Sequence, residues 1–217
     1  MHQNRAAWIV AVKAKPFRVD TAPMYKPGRG EVLIPNHAVA VNPVDWKIQE
    51  SGRYLNSYPF ILGRDAAGII EDVGEGVVRL HKGQRVIAHL HSPNSGNYAH
   101  AAYQFYSLAI EGLTASIPAD ISFEQAVVLP LAISTATAGL YLPEYLGLPL
   151  PSLNPGSSGK TLLIWGGASS VGATAIQLAI ASGLQVIDTA SSSNSGFVTS
   201  LGAEVFDRQS ILPHSIA

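Results

Sequence analysis

Cysteine is absent from this sequence of 217 residues. Its absence excludes a disulfide framework, a thiolate zinc site and a cysteine nucleophile. Charged residues are also scarce: they make up 13% of the chain, and the formal net charge is -1. Such a balance offers no basic surface for nucleic acid and no attraction to an anionic membrane. We therefore expect neither as a partner.

Apolar runs of bilayer-spanning length are lacking as well. The apolar stretch Ala126–Leu142 is interrupted by Pro130 and is shorter than a typical membrane span. The apolar segment near the N-terminus is broken by Lys13 and Lys15, so the sequence predicts no secretory signal. We expect a cytoplasmic, globular protein.

The first half of the chain has the pattern of an antiparallel β structure. Asp45–Glu50 predicts one or two helical turns that end at Gly52. Short apolar or alternating runs predict strands at Ala7–Val12, Glu31–Val41, Ala66–Val73, Arg85–His91 and within Tyr98–Leu108. Up to about residue 115 the pattern favours a small β-barrel or sandwich.

The second half changes to alternating strands and helices. Ser122 and Gln125 have capping-box spacing, and the apolar stretch that follows predicts one or two buried helices interrupted at Pro130. Further on, the pattern predicts strands at Thr161–Trp165, Gln185–Ala190 and Glu204–Asp207, with helices at Val171–Ser182 and Phe197–Leu201. This alternation indicates a parallel sheet and an α/β fold class.

A small-residue turn joins the first of these strands to its helix. Gly166 and Gly172 match the outer glycines of G-x-x-G-x-x-G, and Ser169 replaces the middle one. Such a turn brings backbone N–H groups and a helix N-terminus to a pyrophosphate. The predicted cofactor-binding residues here are Gly166, Ala168, Ser169, Ser170, Val171 and Gly172. The alternative is a tight turn that needs small residues for packing alone.

The end of the second strand indicates which dinucleotide would bind. NAD enzymes usually place a carboxylate there, about 20 residues after the turn. Asp188 lies two residues early, so its side chain is predicted to belong to the strand interior. A hydroxyl-rich loop follows instead, consisting of Ser191, Ser192, Ser193 and Asn194. Hydroxyls donate to a 2′-phosphate without repulsion, which favours NADPH; a merely solvated loop is the alternative.

Five segments together resemble the medium-chain dehydrogenase/reductase superfamily. They are GEVLIPNHAVAVNPVDWK (30–47), PFILGRDAAGIIEDVG (59–74), KGQRVIA (82–88), PLAISTATAGLYL (130–142) and WGGASSVG (165–172). The resemblance is greatest to the zinc-independent branch, with its quinone oxidoreductases and fungal trans-enoyl reductases. It implies a GroES-like catalytic domain over residues 1–120, a partial Rossmann NADP-binding domain over 121–217, and an active site in the cleft between them.

The resemblance also implies that no metal is bound. In zinc-dependent relatives a cysteine ligand corresponds to Asn42, a histidine ligand corresponds to Arg64, and the third ligand falls in the apolar region near Leu131. His89 and His91 are predicted on one strand face, but without a third ligand they are more often ordinary surface or core residues.

Without zinc, the resemblance implies direct hydride transfer from NADPH to an enoyl thioester or an enone, whose carbonyl oxygen needs a hydrogen-bond donor. The acceptor is a small molecule, with delivery on a carrier protein left open. Lys47 is the first catalytic candidate, for the carbonyl or the cofactor ribose, and is otherwise a solvated charge. Asp45 and Trp46 would flank the ribose or simply pack the cleft, and Val44 is a further cofactor-binding candidate of the same motif.

Thr135 is the second catalytic candidate, within a predicted substrate segment formed by Ser134, Thr135, Ala136 and Thr137. Their hydroxyls would otherwise bond back to carbonyls of their own helix. Arg208 is a further cofactor candidate, because it would stack on adenine or pair with the 2′-phosphate. It is otherwise a surface charge.

The length of the chain bears on all of these roles. A dinucleotide-binding sheet normally has six strands, and the pattern predicts about three before the chain ends. We therefore expect a C-terminally truncated protein that binds NADPH weakly, turns over little, and remains monomeric because the sheet edge for dimerisation is missing. A broad quinone or enone oxidoreductase and a nucleotide-binding remnant without turnover are the alternatives.

Overall fold

A computed structural model describes residues 3–207 of the chain. The chain divides into two compact units, Met1–Pro130 and Leu131–Ala217. This division comes later than the domain boundary predicted after residue 120. The reason is that Ala126 and Val127 pack with Ala67 and Ile117 in the core of the first unit.

The first unit is built from short strands and few helical turns. Its strands are β1 (Arg5–Ile9), β2 (Arg18–Thr21), β3 (Glu31–Ala40), β4 (Phe60–Ile61), β5 (Asp65–Ile69), β6 (Asp72–Val73), β7 (Arg85–His89), β8 (Tyr106–Ile110) and β9 (Thr114–Ser116). Its helices are α1 (Pro43–Ser51), α2 (Ser92–Ser95) and α3 (Phe123–Ala126), with 3-10 turns at Tyr98–His100 and Glu111–Leu113. Helix α1 ends at Gly52, whose N–H donates to Ile48, as the sequence predicted.

All pairings in this unit are antiparallel. The larger sheet has the order β6-β3-β5-β7-β9, with β8 also paired to β3, and the smaller one has the order β2-β1-β4. Val32, Ile34, Val86 and Leu90 are fully buried within the main core. The predicted antiparallel first half is therefore confirmed.

Three predicted strands in this unit differ from the structure. The first was predicted at Ala7–Val12, whereas β1 spans Arg5–Ile9. Residues 66–73 contain two strands: β5 ends at Ile69, and β6 begins at Asp72, which pairs with Leu33 of β3. The segment 98–108 begins as a 3-10 turn, since the Asn97 side chain caps the N–H of Ala99, and becomes a strand only at Tyr106.

The second unit is a parallel α/β structure. It contains α4 (Pro130–Tyr141), β10 (Thr161–Trp165), α5 (Ser170–Ala181), β11 (Gln185–Ala190), α6 (Ser192–Ser200) and β12 (Glu204–Asp207). The strands are parallel in the order β10-β11-β12. Ile176 and Val198 bring α5 and α6 into one core with Val186 of β11. The predicted mixed α/β class is confirmed.

The expected hydroxyl-rich loop after β11 is the exception, and that prediction is wrong. Helix α6 begins at Ser192, with Ser191 in the extended N-cap conformation. Serine is a preferred N-cap residue, so the hydroxyls that suggested a loop instead begin a helix.

One described segment, Phe123–Tyr141, is long and apolar enough to cross a membrane by length and composition alone, with a third of it buried (33%). Core helices of soluble proteins have the same properties. Residues 127–129 interrupt the segment between α3 and α4, as the pattern at Pro130 predicted.

Candidate functional site

The turn between β10 and α5 brings the predicted glycines and serines together. Gly166 has a φ of 85°, a left-handed conformation that favours glycine. Ser169 is the N-cap of α5: its Oγ accepts from the N–H of Gly172 at 3.0 Å and donates to the carbonyl of Gly166 at 2.9 Å. A Cβ on Gly172 would lie 2.5 Å from that same carbonyl, so glycine is required here by packing.

Packing does not account for the whole turn. The first N–H groups of an α-helix have no partner within the helix, which leaves those of Ser170 and Val171 as donors. Ser169 and Ser170 are exposed, and a Cβ built on Gly166 would meet nothing within 4 Å. Donors at a helix N-terminus, beside open space, fit a pyrophosphate.

Asp188 lies beneath this turn, on β11. Its Oδ1 accepts from the N–H of Gly167 at 2.7 Å, and the residue is fully buried. Its Oδ2 is also buried and has no hydrogen-bond partner among the described residues. Burial raises the pKa of the Asp188 carboxyl, while the backbone hydrogen bonds of Gly167 and Thr189 oppose the shift. The prediction that Asp188 belongs to the strand interior is confirmed.

The polar side chains after β11 cluster in the first turn of α6. The Oγ atoms of Ser191 and Ser193 are 3.0 Å apart, and Nδ2 of Asn194 donates to the Ser191 Oγ at 3.1 Å. Ser192, Ser193 and Asn194 are exposed. These hydroxyl and amide groups lie beside the free N–H groups of a helix N-terminus. Such an arrangement can bind a phosphate as well as the predicted loop could. The further candidate Arg208 lies outside the described residues.

In the first unit, helix α1 carries the other cofactor candidates. Asp45 is buried, and its carboxylate accepts from the N–H of Asn42 at 2.8 Å and from the Tyr103 hydroxyl at 2.9 Å. Burial raises the pKa of Asp45, and these hydrogen bonds oppose the shift. Its side chain therefore holds α1 in place, and its contact with the cofactor ribose stays a prediction.

The neighbouring candidates on α1 differ from Asp45 in exposure. Val44 is partly buried, whereas Trp46 is 53% exposed and Lys47 is exposed. Nζ of Lys47 lies 5.6 Å from the centroid of the Trp46 ring. Lys47 is accordingly accessible to a ligand, although its position is equally that of a solvated charge.

Arg64 is partly buried beside these residues. Its Nη1 donates to Oδ1 of Asn94 at 3.0 Å, whereas its Nε is fully buried and has no hydrogen-bond partner among residues 3–207. Burial lowers the pKa of the guanidinium, and the charges of Asp45 and Asp65 raise it. Burial and the positive charge of Arg64 lower the pKa of His89 to about 4, so His89 is neutral near pH 7.

A cavity of about 210 Å³ adjoins this guanidinium. The described residues that line it are Val44, Ile48, Tyr54, Arg64, Pro93 and Asn94. A larger groove of about 530 Å³ lies elsewhere on the same unit, and none of the predicted site residues lines it. Of these two cavities, the smaller one is lined by a predicted cofactor residue, Val44.

Within the described part of the chain, no group of three His, Asp or Glu side chains is arranged to hold a metal ion. The His91 ring stacks on His100 with centroids 4.5 Å apart. His100 in turn pairs with Glu31 at 2.7 Å through Nε2. His91 and His100 thus contact other side chains of this unit.

The predicted substrate segment lies in α4. The Thr135 hydroxyl donates to the carbonyl of Leu131 at 2.9 Å, and that of Thr137 donates to Ile133 at 2.7 Å. In both threonines the hydroxyl therefore bonds back to a carbonyl of its own helix, which is the alternative that the sequence left open. Ser134 is partly buried and Ala136 is buried, so their proposed substrate contacts stay predictions.

Sequence reasoning missed several residues of these sites. Tyr103 and Asn94 were not singled out, and Arg64 was considered only as a replaced metal ligand. The sequence did contain one signal for Arg64. This charged residue directly follows the mainly apolar segment Phe60–Gly63, where a buried side chain is expected, and charged residues at such positions often mark functional sites. No comparable signal identifies Tyr103 or Asn94, because their partners are distant along the chain.

Residues 28–132 match the family model described as the alcohol dehydrogenase GroES-like domain. The chain is 46% identical to the dehydrogenase azaJ of Aspergillus niger, over 95% of this chain and 61% of azaJ. It is 45% identical to the trans-enoyl reductase himH of Aspergillus japonicus, over 95% of this chain and 60% of himH. The trans-enoyl reductase tazE of Aspergillus terreus is 36% identical, with coverage of 95% and 69%. The chain thus spans about three fifths of the length of azaJ and himH.

Two solved structures also align with nearly the whole of this chain. An alcohol dehydrogenase superfamily protein from Novosphingobium aromaticivorans aligns with a TM-score of 0.79 at 31% identity, covering 95% of this chain and 59% of its own. A mycobacterial protein in complex with NADPH aligns with a TM-score of 0.70 at 29% identity, covering 94% and 58%.

Proposed function

Because this chain belongs to the medium-chain dehydrogenase/reductase superfamily, we propose that it serves an NADPH-dependent reduction of an activated carbon–carbon double bond, in an enoyl thioester or an enone. Two relatives, himH and tazE, are named trans-enoyl reductases. Their name supports the reaction class for this chain. The acceptor itself is part of the proposal.

The observation that carries the proposal is the phosphate-binding geometry of the second unit. The N–H groups of Ser170 and Val171 would hold the pyrophosphate at the N-terminus of α5. The first turn of α6, from Ser191 to Asn194, offers hydroxyl and amide donors and no carboxylate, which suits a 2′-phosphate. The relative solved with NADPH supports the same cofactor.

When bound, NADPH supplies the hydride that adds to the β-carbon of the acceptor, the π pair moves to the carbonyl oxygen, and a solvent proton completes the saturated product. The protein's task is to position the acceptor and to stabilise the charge on its oxygen. Asp45 and Tyr103 hold α1 rigid, and α1 presents Lys47 to solvent for the cofactor ribose or the carbonyl.

Titration calorimetry with NADPH and NADH tests the cofactor assignment. We expect tighter binding of NADPH than of NADH, and at most slow reduction of a crotonyl thioester at the expense of NADPH. In Ser191→Asp the N-cap is preserved because Asp is also a good cap, but the new carboxylate repels the 2′-phosphate. NADPH affinity should fall about tenfold, equivalent to about 1.4 kcal/mol, with NADH affinity nearly unchanged.

The matched control is Ser200→Asp, which adds the same charge at the opposite end of α6. It should leave the preference for NADPH intact. Tighter binding of NADH than of NADPH by the unaltered protein would refute the assignment, and binding of neither nucleotide would overturn the proposed function.

A further inference from the structure

The guanidinium of Arg64 has a hydrogen-bonding capacity that the described protein does not use. A guanidinium carries five N–H donors and no acceptor. Nη1 donates to Asn94 at 3.0 Å, yet the Nε–H is fully buried without an acceptor among the described residues. A buried donor without a partner costs free energy, and in native structures it calls for an explanation.

The nearby carboxylates are engaged elsewhere. Asp45 accepts from Asn42 and Tyr103, and Asp65 accepts from Nδ2 of Asn42 at 2.8 Å. Both carboxylates favour the charged form of Arg64 through space. They therefore oppose the effect of burial and keep a cation in this partly buried position.

Arg64 also lines a cavity, in which its guanidinium can meet a ligand. Of the described residues that line its 210 Å³, Arg64 is the one that carries a charge, and Asn94 is the other strongly polar one. Val44, Ile48 and Pro93 make the remaining wall mainly apolar. Ligand sites commonly combine an apolar wall with a few placed polar groups. The volume is below that of typical ligand pockets, which suits the end of an acyl group rather than a whole substrate.

From this geometry we propose that Arg64 is a catalytic residue that donates hydrogen bonds to the carbonyl oxygen of the acceptor, with the short unsaturated acyl end against Val44 and Ile48. This assignment rests on the proposed function for the identity of the acceptor. As negative charge develops on the oxygen, a fixed cation stabilises it more than it stabilises the neutral carbonyl.

Crotonate serves as a probe, because its carboxylate mimics the charged oxygen and its chain mimics the acyl end. In ¹⁵N-labelled protein, the Nε–H resonance of Arg64, assigned from its absence in Arg64→Lys, should shift on titration with crotonate. Affinity for crotonate should fall at least about tenfold in Arg64→Gln and recover in part in Arg64→Lys. Affinity for NADPH should change less than about twofold in both variants.

Arg29→Gln is the matched control, since it removes the same charge from a side chain that is 81% exposed. It should leave crotonate binding unchanged. The Nε–H measurement uses the unaltered protein, so it decides the matter even if Arg64→Gln does not fold. No shift at saturating crotonate, or equal affinity in Arg64→Gln and Arg29→Gln, would overturn the assignment.

The two proposals fail separately. If crotonate binds through Arg64 and NADPH does not bind, the proposed function is wrong, and Arg64 is a carboxylate-binding residue without the catalytic role proposed for it. If NADPH binds and crotonate leaves the Arg64 resonance in place, the cofactor site stands and the role of Arg64 is wrong.

Discussion

The two units of this protein place their candidate chemistry in different ways. In the second unit, the groups proposed to bind phosphate are backbone N–H groups and hydroxyls within two short segments, 166–172 and 191–194. In the first unit, the polar groups are side chains brought together from distant parts of the chain, such as Asp45 with Tyr103 and Arg64 with Asn94.

The difference shows which substitutions each site tolerates. A site made of backbone depends on the absence of side chains, so adding a methyl group damages it. A site made of side chains depends on individual hydrogen bonds, so deleting one oxygen damages it. The following predictions test this contrast, beginning with the largest effect.

Gly172→Ala should be the most damaging change. The new Cβ would lie 2.5 Å from the carbonyl of Gly166 and 2.7 Å from the Cα of Gly167, so the turn must move. We expect about 2 kcal/mol of destabilisation and about a hundredfold weaker NADPH binding, equivalent to about 2.7 kcal/mol. Urea unfolding and calorimetry measure the two effects.

Gly196→Ala in α6 is the control for this change, because a Cβ there meets nothing within 4 Å. It should stabilise the helix slightly, by roughly 0.5–1 kcal/mol, without affecting NADPH binding. Equal behaviour of the two variants would show that the backbone of the turn is not critical.

Tyr103→Phe tests the first unit. It removes the hydroxyl that donates to the buried carboxylate of Asp45 at 2.9 Å. Since a buried acceptor then loses a partner, the free energy of unfolding should fall by about 1–2 kcal/mol. Tyr145→Phe, at a side chain that is 68% exposed, should change it by less than about 0.5 kcal/mol. A loss of the same size in both variants would contradict the role of Tyr103.

Asp188→Asn tests the pH dependence of the second unit. Because folding raises the pKa of Asp188, protonation favours the folded state. Its contribution to stability is therefore present below the ordinary carboxyl pKa of about 4 and is lost as the pH rises through the folded-state pKa. Asn keeps an acceptor for Gly167 without the charge, so this part of the pH slope should disappear.

The slope from one such group is at most about 1.4 kcal/mol per pH unit. Unfolding free energies measured at several pH values above 4 reveal the change. The exposed residue Glu204, altered to Gln, provides a control that removes the same charge. A slope that persists in Asp188→Asn would mean that Asp188 does not titrate in this window.

Lys47→Met should have the smallest effect on stability. The side chain is exposed, and Met preserves an apolar stem beside Trp46, so unfolding should change by less than about 0.5 kcal/mol. NADPH affinity should nevertheless fall if Lys47 contacts the ribose. Unchanged binding would favour the alternative of a solvated charge.

The sequence predicted much of the fold but less of the site. The parallel strands 161–165 and 185–190 were located to the residue, because buried strands between glycine-rich turns have a strong local pattern. The serines after β11 were misplaced in a loop, since the same residues that favour loops also cap helices. For Thr135 and Thr137 the sequence left two alternatives, a substrate contact or a hydrogen bond to a carbonyl of their own helix. Only the structure shows the hydrogen bonds to the helix.

By itself, the sequence determined the two halves, the glycine turn and the strand-interior position of Asp188. These depend on residue spacing and on small side chains, which are properties of neighbouring residues. The tertiary structure alone decided that Arg64 lines a cavity, that Asp45 bonds to Tyr103, and that Asp188 bonds to Gly167. Those contacts join residues 58 and 21 positions apart in the last two cases, and no local pattern encodes them.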